Sequence, residues 1–487
     1  MMAPKGPVPS AGRGLLAMNE RRERIATNIN ETFRYLNIGL PEDIRRRKLC
    51  GDLEGAVRLI DRRLAMENLP QAMRCCLTAQ REMILRMPED FPYTRAQALE
   101  RVRSRIPGFT EEEFDAWVDA GQIRWSYQNG EIRFFDRFLE SLCKAEPEFA
   151  RRAGISLPGN ESAGKGSRED GRLERCIRVM REQGSRSVRI RIRATLRLSD
   201  DQFTPGMLVR AHLPIPAACE QQSEITLEEI YPSGGVAAPE NAAQRTVCWE
   251  ERMEQNHEFA VQYSYVHTAR YHDTDQIRAC EEQPGFFTGE EPPHIEFTPC
   301  IRALAAELTQ GSDDPLEKAR RFYDFITLNM KYTFMPAYFS LEDIAGNCAR
   351  SLTGDCGVFA LLFLTLCRCA GIPACWQSGL TAEPGFCGAH DWVRFYIAPY
   401  GWLYADPSYG VAAVRMGSEE RRRFYFGNLD PYRMVANNAF QAPFTVEKRH
   451  WRADPYDNQV GELETEERGL RYGEFQRTKQ VLACEEL

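Results

Sequence analysis

The sequence predicts an α+β protein in which a mainly helical N-terminal region, a β-sandwich and a mixed α+β domain follow one another along 487 residues. Three observations carry that prediction. Apolar residues recur at helical spacing before residue 150, strict two-residue alternation dominates from residue 185 to about 270, and an unbroken apolar helix precedes an alternating hairpin after residue 350. One hydrophobic core rarely supports a chain of this length, so several domains are expected. The boundaries read as a helical domain with a hairpin at 1–155, a linker at 156–184 and a sandwich at 185–292. A domain holding the chemistry at 293–435 and a polar C-terminal extension at 436–487, packed on the surface, complete the chain.

In the first region Leu53, Ala56, Val57, Ile60 and Leu64 make one apolar stripe. Thr110 and Glu113 have capping-box spacing ahead of Phe114, Trp117 and Val118. Asn129-Gly130 between alternating runs predicts a tight hairpin, and Asp136 to Lys144 returns to a helical pattern. Helix, hairpin and helix could make a DNA-binding unit, but no basic recognition helix stands out, so a packing module is the preferred reading. The stretch from Ser156 to Gly171 is rich in Gly, Ser and charge and has no apolar period, as a linker does.

Beyond it, Val188, Ile190, Ile192, Ala194, Leu196 and Leu198 alternate with Arg189, Arg191, Arg193 and Arg197, which gives a strand with one core face. The arginine row is read as an exposed face rather than as an anion site. Further strands are expected at Leu208 to Pro214, Ile225 to Ile230, Thr246 to Glu250 and Glu258 to Val266. Near Pro293 the period returns to helical, and Asp314-Pro315 opens a second helix there.

Composition narrows the class. Hydrophobic residues at 43% and charged residues at 27% fit a folded globular protein, and a net charge of -8 gives no general attraction for nucleic acid or anionic lipid. The first residues lack the apolar run of a secretory signal, and no segment reads as a membrane span, so a cytoplasmic location with no membrane contact is expected. The 16 cysteines are then expected to be reduced. Neither Cys75 with Cys76 nor Cys367 with Cys369 has zinc-site spacing, and no metal or cofactor is expected.

The chemistry concentrates in one stretch. Cys356 follows Gly354-Asp355 at the start of an apolar helix that Gly371 and Pro373 end, where backbone N–H groups and the helix dipole favour a thiolate and its oxyanion. His390 heads an alternating strand, and a turn at Pro399 to Gly401 leads to a second strand ending at Asp406. In an antiparallel hairpin of that length His390 and Asp406 become neighbours, so the carboxylate can orient an imidazole able to take a proton from Cys356. His212, His257, His267, His272 and His294 lack such a pattern and read as ordinary surface or packing residues.

Gly354-Asp355-Cys356, the helix ending in GIPA, His390 with Trp392, and GWLYADPS with Asp406 together resemble the transglutaminase-like superfamily. The resemblance covers roughly residues 185 to 435, with a specific three-part core signature and a looser match in the β-rich part before it. It implies a papain-like α+β core, with Cys356 as nucleophile, His390 as general base and Asp406 as orienting acid. Cys375-Trp376 stands where the family often has Arg. For the oxyanion or substrate contacts Asn347, Tyr338 and Trp392 are candidates. The resulting expectation is a cysteine hydrolase acting on peptide or isopeptide amides of a protein or peptide substrate through a thioester. Protein-glutamine cross-linking, or a non-catalytic binding or regulatory protein that keeps the fold, are the alternatives.

Overall fold

Helices with a single apolar stripe are stable only when stacked, and the N-terminal part is built that way. The computed structural model describes residues 28–155 and 171–487. After a 3₁₀ helix at Ile29–Ile38 come α1 (Glu42–Leu49), α2 (Leu53–Leu64), α3 (Gln71–Asp90), α4 (Arg95–Arg105) and α5 (Glu111–Asp119). The hairpin of β1 (Trp125–Gln128) and β2 (Glu131–Phe134) and the helices α6 (Phe138–Ala145) and α7 (Pro147–Arg152) follow. Leu53, Ala56 and Ile60 of α2 are buried, with Val57 and Leu64 packed at the edge of the same cluster. Thr110 and Glu113 form the expected capping box at the start of α5. Asn129 (φ 47°) and Gly130 (φ 95°) both take the left-handed conformation that a two-residue hairpin turn requires. A second apolar cluster, around Phe109, Phe114, Phe134 and Phe138, reaches across to Phe334 of the later domain.

Of the stretch expected to be a linker, 156–170 lies outside the described residues, and the part from Arg172 to Gln183 is a helix, α8, that buries Cys176, Ile177 and Met180. Its stripe is only three residues wide and is diluted by charge, so it was read as linker. The long strand β3 (Ser185–Leu198) pairs with β8 (Glu258–Arg270), which pairs with β5 (Gln222–Tyr231). A second sheet contains β4 (Met207–Pro214), β7 (Thr246–Met253) and β6 (Val236–Ala237). The apolar face of β3 is buried as expected, and its arginines are matched by acids: Arg189 donates to Glu224 at 2.7 Å, Arg191 to Glu228 at 2.5 Å, Arg197 to Asp200 at 2.6 Å and Arg193 to Glu258.

The third region carries α9 (Pro299–Thr309) and α10 (Pro315–Asn329), the latter capped by Asp314, which accepts from Leu316 N at 2.8 Å. Two short strands, β9 (Lys331–Tyr332) and β10 (Thr353–Gly354), pair in parallel around α11 (Ile344–Ser351) and lead into α12 (Cys356–Cys369). Every residue of α12 from Gly357 to Arg368 is buried. It packs on a five-stranded sheet of order β14-β13-β12-β11-β15, formed by β11 (Ala374–Glu383), β12 (Phe386–Ile397), β13 (Gly401–Ala405), β14 (Phe426–Gly427) and β15 (Arg433–Asn437). The helices α13 (Pro407–Arg415) and α14 (Glu419–Phe424) lie between β13 and β14. Leu380, Ala382, Met434 and Ala436 of this sheet join the sandwich core, so the two domains share one apolar interior. Among the described residues no helix is long and apolar enough to cross a membrane.

The C-terminal segment is not the surface extension expected for 436–487. Its β16 (Glu462–Thr465) pairs with β4 and its β17 (Phe475–Glu486) runs along β3 from Phe475↔Leu198 to Glu486↔Val188, completing both sheets of the sandwich. Polar composition hides such a strand: at the edge of a sheet it pairs through one side of its backbone while its polar side chains stay outward. Glu462 is buried and offsets its desolvation by accepting from Lys448 Nζ at 3.1 Å and Arg452 Nε at 2.9 Å.

Candidate active site

Asp355 fixes the start of α12. Its Oδ1 accepts from Val358 N at 3.3 Å and from the Tyr338 hydroxyl, so the carboxylate caps the helix and anchors the tyrosine in one place. Pairing of Gly354 with Tyr332, and Thr333 N donating to Gly354 O at 2.8 Å, hold the chain just before the cysteine. Gly357 has to be glycine here: a Cβ would stand 2.4 Å from the Tyr338 hydroxyl and 2.9 Å from Asp391 Oδ2.

Cys356 itself is half-buried, and its thiol donates to Asp391 Oδ2 at 3.2 Å. Among the described residues this, and not a bond to His390, is the thiol's hydrogen bond. The electrostatics also depart from the expectation of a lowered thiol pKa. Burial first, and then the carboxylates of Asp391 and Asp355, push the thiol well up, outweighing the helix N-terminus. Asp391 is in turn pushed well up, by burial and then by Asp457. A neutral Asp391 removes one of the charges that oppose the thiolate.

The other half of the site matches the hairpin geometry. Val393 pairs with Ala405, which brings the end of β13 beside His390. His390 Nε2 and Asp406 Oδ2 are hydrogen-bonded at 2.7 Å, with Asp406 fully buried. Asp406 caps α13, accepting from Tyr409 N at 2.9 Å and Ser408 Oγ at 3.1 Å, and accepts from Arg433 Nη1 at 2.7 Å. Burial works to raise its pKa, but His390 and Arg433 outweigh it and hold the carboxyl well below the usual carboxylate range. The imidazole lies over Tyr409, ring centroids 4.5 Å apart. Arg433 is fully buried, bonded also to Asp430 at 2.8 Å, with its guanidinium 4.9 Å from the Tyr409 ring. With Nε2 given to Asp406, Nδ1 is the nitrogen left for proton exchange.

The remaining candidates separate. Tyr338 does lie at the start of α12. Asn347 does not: it is exposed on α11, its Nδ2 donating to Glu342 O at 2.5 Å and its Oδ1 accepting from Arg350 at 2.6 Å, because helical phase turns it outward. Trp392 is fully buried and donates to Gln377 Oε1 at 3.0 Å, which makes it packing beneath the histidine and not a substrate contact. His212, His267 and His294 are buried with pKa values lowered by burial, to about 3, 4 and 3, in keeping with packing roles.

Three partners were missed from the sequence. Asp391 stands between His390 and Trp392 and could have been noticed there. Arg433 and Gln459 carried no local signal. Gln459 Nε2 donates to His390 O at 3.1 Å and to Asp391 Oδ1, so the C-terminal segment touches the site directly. Among the described residues no group of acids, histidines and cysteines has a metal-holding arrangement.

Residues 302–407 match the family model of the transglutaminase-like superfamily. Among curated proteins it is similar to YebA of Bacillus subtilis (strain 168), 28% identical over 129 residues that make up 23% of this chain and 17% of the relative. The chain thus spans well under two thirds of that relative's length. Among solved structures it is similar to a candidate cysteine protease from Cytophaga hutchinsonii at 16% identity and TM-score 0.41, covering 62% of this chain and 91% of that one. It is also similar to the periplasmic domain of TgpA from Pseudomonas aeruginosa, at 17% identity and TM-score 0.26, covering 48% of this chain and 92% of that one.

Proposed function

We propose that this chain is a cysteine hydrolase of peptide or isopeptide amide bonds, with Cys356 as nucleophile, His390 as general base and acid, and Asp406 as the group that orients the histidine. The buried His390–Asp406 bond, beside the helix start that bears Cys356, is the observation that supports the reading most directly. The Cys356 sulfur gives up its proton toward His390 and attacks the amide carbon. His390 then protonates the leaving amine, and water, deprotonated by the same imidazole, releases the acid from the thioester. Asp406, kept ionised by Arg433, stabilises the imidazolium that exists between those steps. Backbone N–H groups at the start of α12 are the oxyanion donors within reach of a carbonyl held at Cys356.

The test is activity-based profiling with peptide and isopeptide amides, comparing wild type, Cys356→Ala and His390→Ala. Hydrolysis abolished by the first and reduced about 10²-fold or more by the second is the expected result. Amide turnover that survives Cys356→Ala overturns the proposal, and net incorporation of an added amine without acid release identifies a transferase instead.

A further inference from the structure

Two cations at a junction that borders the cysteine have no ion-pair partner among the described residues. Lys144, in the last turn of α6, and Arg415, the last residue of α13, come from helices far apart in the chain and meet at Tyr332. Lys144 Nζ stands 4.8 Å from the centroid of the Tyr332 ring and 4.6 Å from that of Phe334. Arg415 Nη1 donates to Lys144 O, which ties the two helix ends together. Tyr332 pairs directly with Gly354, two positions before Cys356, so this junction borders the nucleophile. The surrounding protein lowers the pKa of Lys144 although part of its surface reaches solvent, and a charge on Cys356 acts on it in the opposite direction.

The neighbouring charges form their ion pairs elsewhere, although Glu140 acts on Lys144 from a distance. Arg137 is matched by Glu140 at 2.6 Å and Lys331 by Glu146 at 3.3 Å. Asp355 is taken by Tyr338 and the helix N–H, Asp406 by His390 and Arg433, and Asp391 shares its environment with Asp457. Among the described residues neither Lys144 nor Arg415 has an ion-pair partner, in a chain whose acids outnumber its bases, 70 to 62. Both are exposed, and a pair of cations without ion-pair partners at the edge of the site attracts an anion.

We infer that Lys144 and Arg415 form a carboxylate subsite next to Cys356, so that the substrate is an acidic peptide carrying a carboxylate close to the bond cleaved. The inference rests on the proposed hydrolase reading for its substrate, while the charge at the cysteine can be measured without any turnover. It also gives the N-terminal helical region a purpose, since α6 carries half of the subsite.

The experiment compares alkylation of Cys356 by iodoacetate and by iodoacetamide, read by mass spectrometry of the Cys356 peptide, with exposed Cys280 in the same chain as reference. The anionic-to-neutral rate ratio is expected to exceed that of Cys280 by about threefold or more at low salt and to approach it near 0.5 M salt, roughly where screening shortens to a few ångströms. Lys144→Gln and Arg415→Gln should each lower the ratio, and Arg415→Lys, which keeps the charge if the helix contact matters for folding, should preserve it. A ratio equal to that of Cys280, or unchanged in folded Lys144→Gln, overturns the subsite. With peptide substrates, Lys144→Gln should raise KM for acidic peptides and leave kcat and neutral peptides unchanged. Loss of neutral-peptide hydrolysis in Cys356→Ala together with a failed alkylation ratio separates the hydrolase reading, which survives, from the subsite, which does not.

Discussion

At the scale of single residues the site is governed by how buried charges are matched. Asp406 is held ionised because a histidine and an arginine both face it, whereas burial and then Asp457 push the pKa of Asp391 up. Asp391 in its carboxylate form opposes the thiolate of Cys356. Asp391→Asn removes that charge, so the variant should alkylate Cys356 faster than wild type at pH 8, with the difference shrinking as the pH falls and wild-type Asp391 becomes neutral. Equal rates at pH 8 would show that the carboxylate does not reach the sulfur electrostatically. His390 and Asp406 were legible because hairpin register is a local rule, and Asp391 was visible but unread because nothing in the sequence says which strand neighbour meets a sulfur.

At the scale of elements α12 matters most. Twelve consecutive buried positions, Gly357 to Arg368, fix the direction of its N-terminus and thereby the position of Cys356. Leu362 is fully buried in the main cluster, so Leu362→Ala should cost about 2–5 kcal/mol in equilibrium denaturation. A loss below about 1 kcal/mol would mean that the helix can slide to fill the cavity, and the site would not be held as rigidly as the packing implies. The apolar run and the stop at Gly371 and Pro373 make this helix readable from sequence. The short helix Arg172–Gln183 was not readable, because three buried residues in a charged segment give too weak a period.

At the scale of the molecule the C-terminal segment links the sandwich and the domain that carries the candidate site. It supplies one strand to each sandwich sheet and Gln459 to the site. A chain ending at residue 460 should therefore lose cooperative unfolding or melt at least 10 °C lower, since roughly two sheet edges become unpaired at once. An unchanged melting curve would contradict the integrated sandwich. The same segment sets a pH dependence. Burial pushes Asp454 up to about 8 and Asp457 up to about 6, above the unfolded value near 3.9. Both bind protons more tightly when folded, so their contribution to stability is full at low pH and declines as the pH rises from about 4 through about 8. Asp454→Asn should raise the melting temperature at pH 8 and leave it nearly unchanged below about pH 4. An equal shift at pH 8 and below pH 4 would remove the ionisation as its cause.

The sequence by itself determined the order of helical, sandwich and α+β parts, the burial of the cysteine-bearing helix, and the pairing of His390 with Asp406, all of which follow from periodicity and short-range register. Only the tertiary structure decided that Asp391 faces the thiol, that Arg433 and Gln459 brace the site, and that the tail completes the sandwich. Those contacts join residues dozens to hundreds of positions apart, and no local spacing encodes a contact that forms only after separate layers have packed.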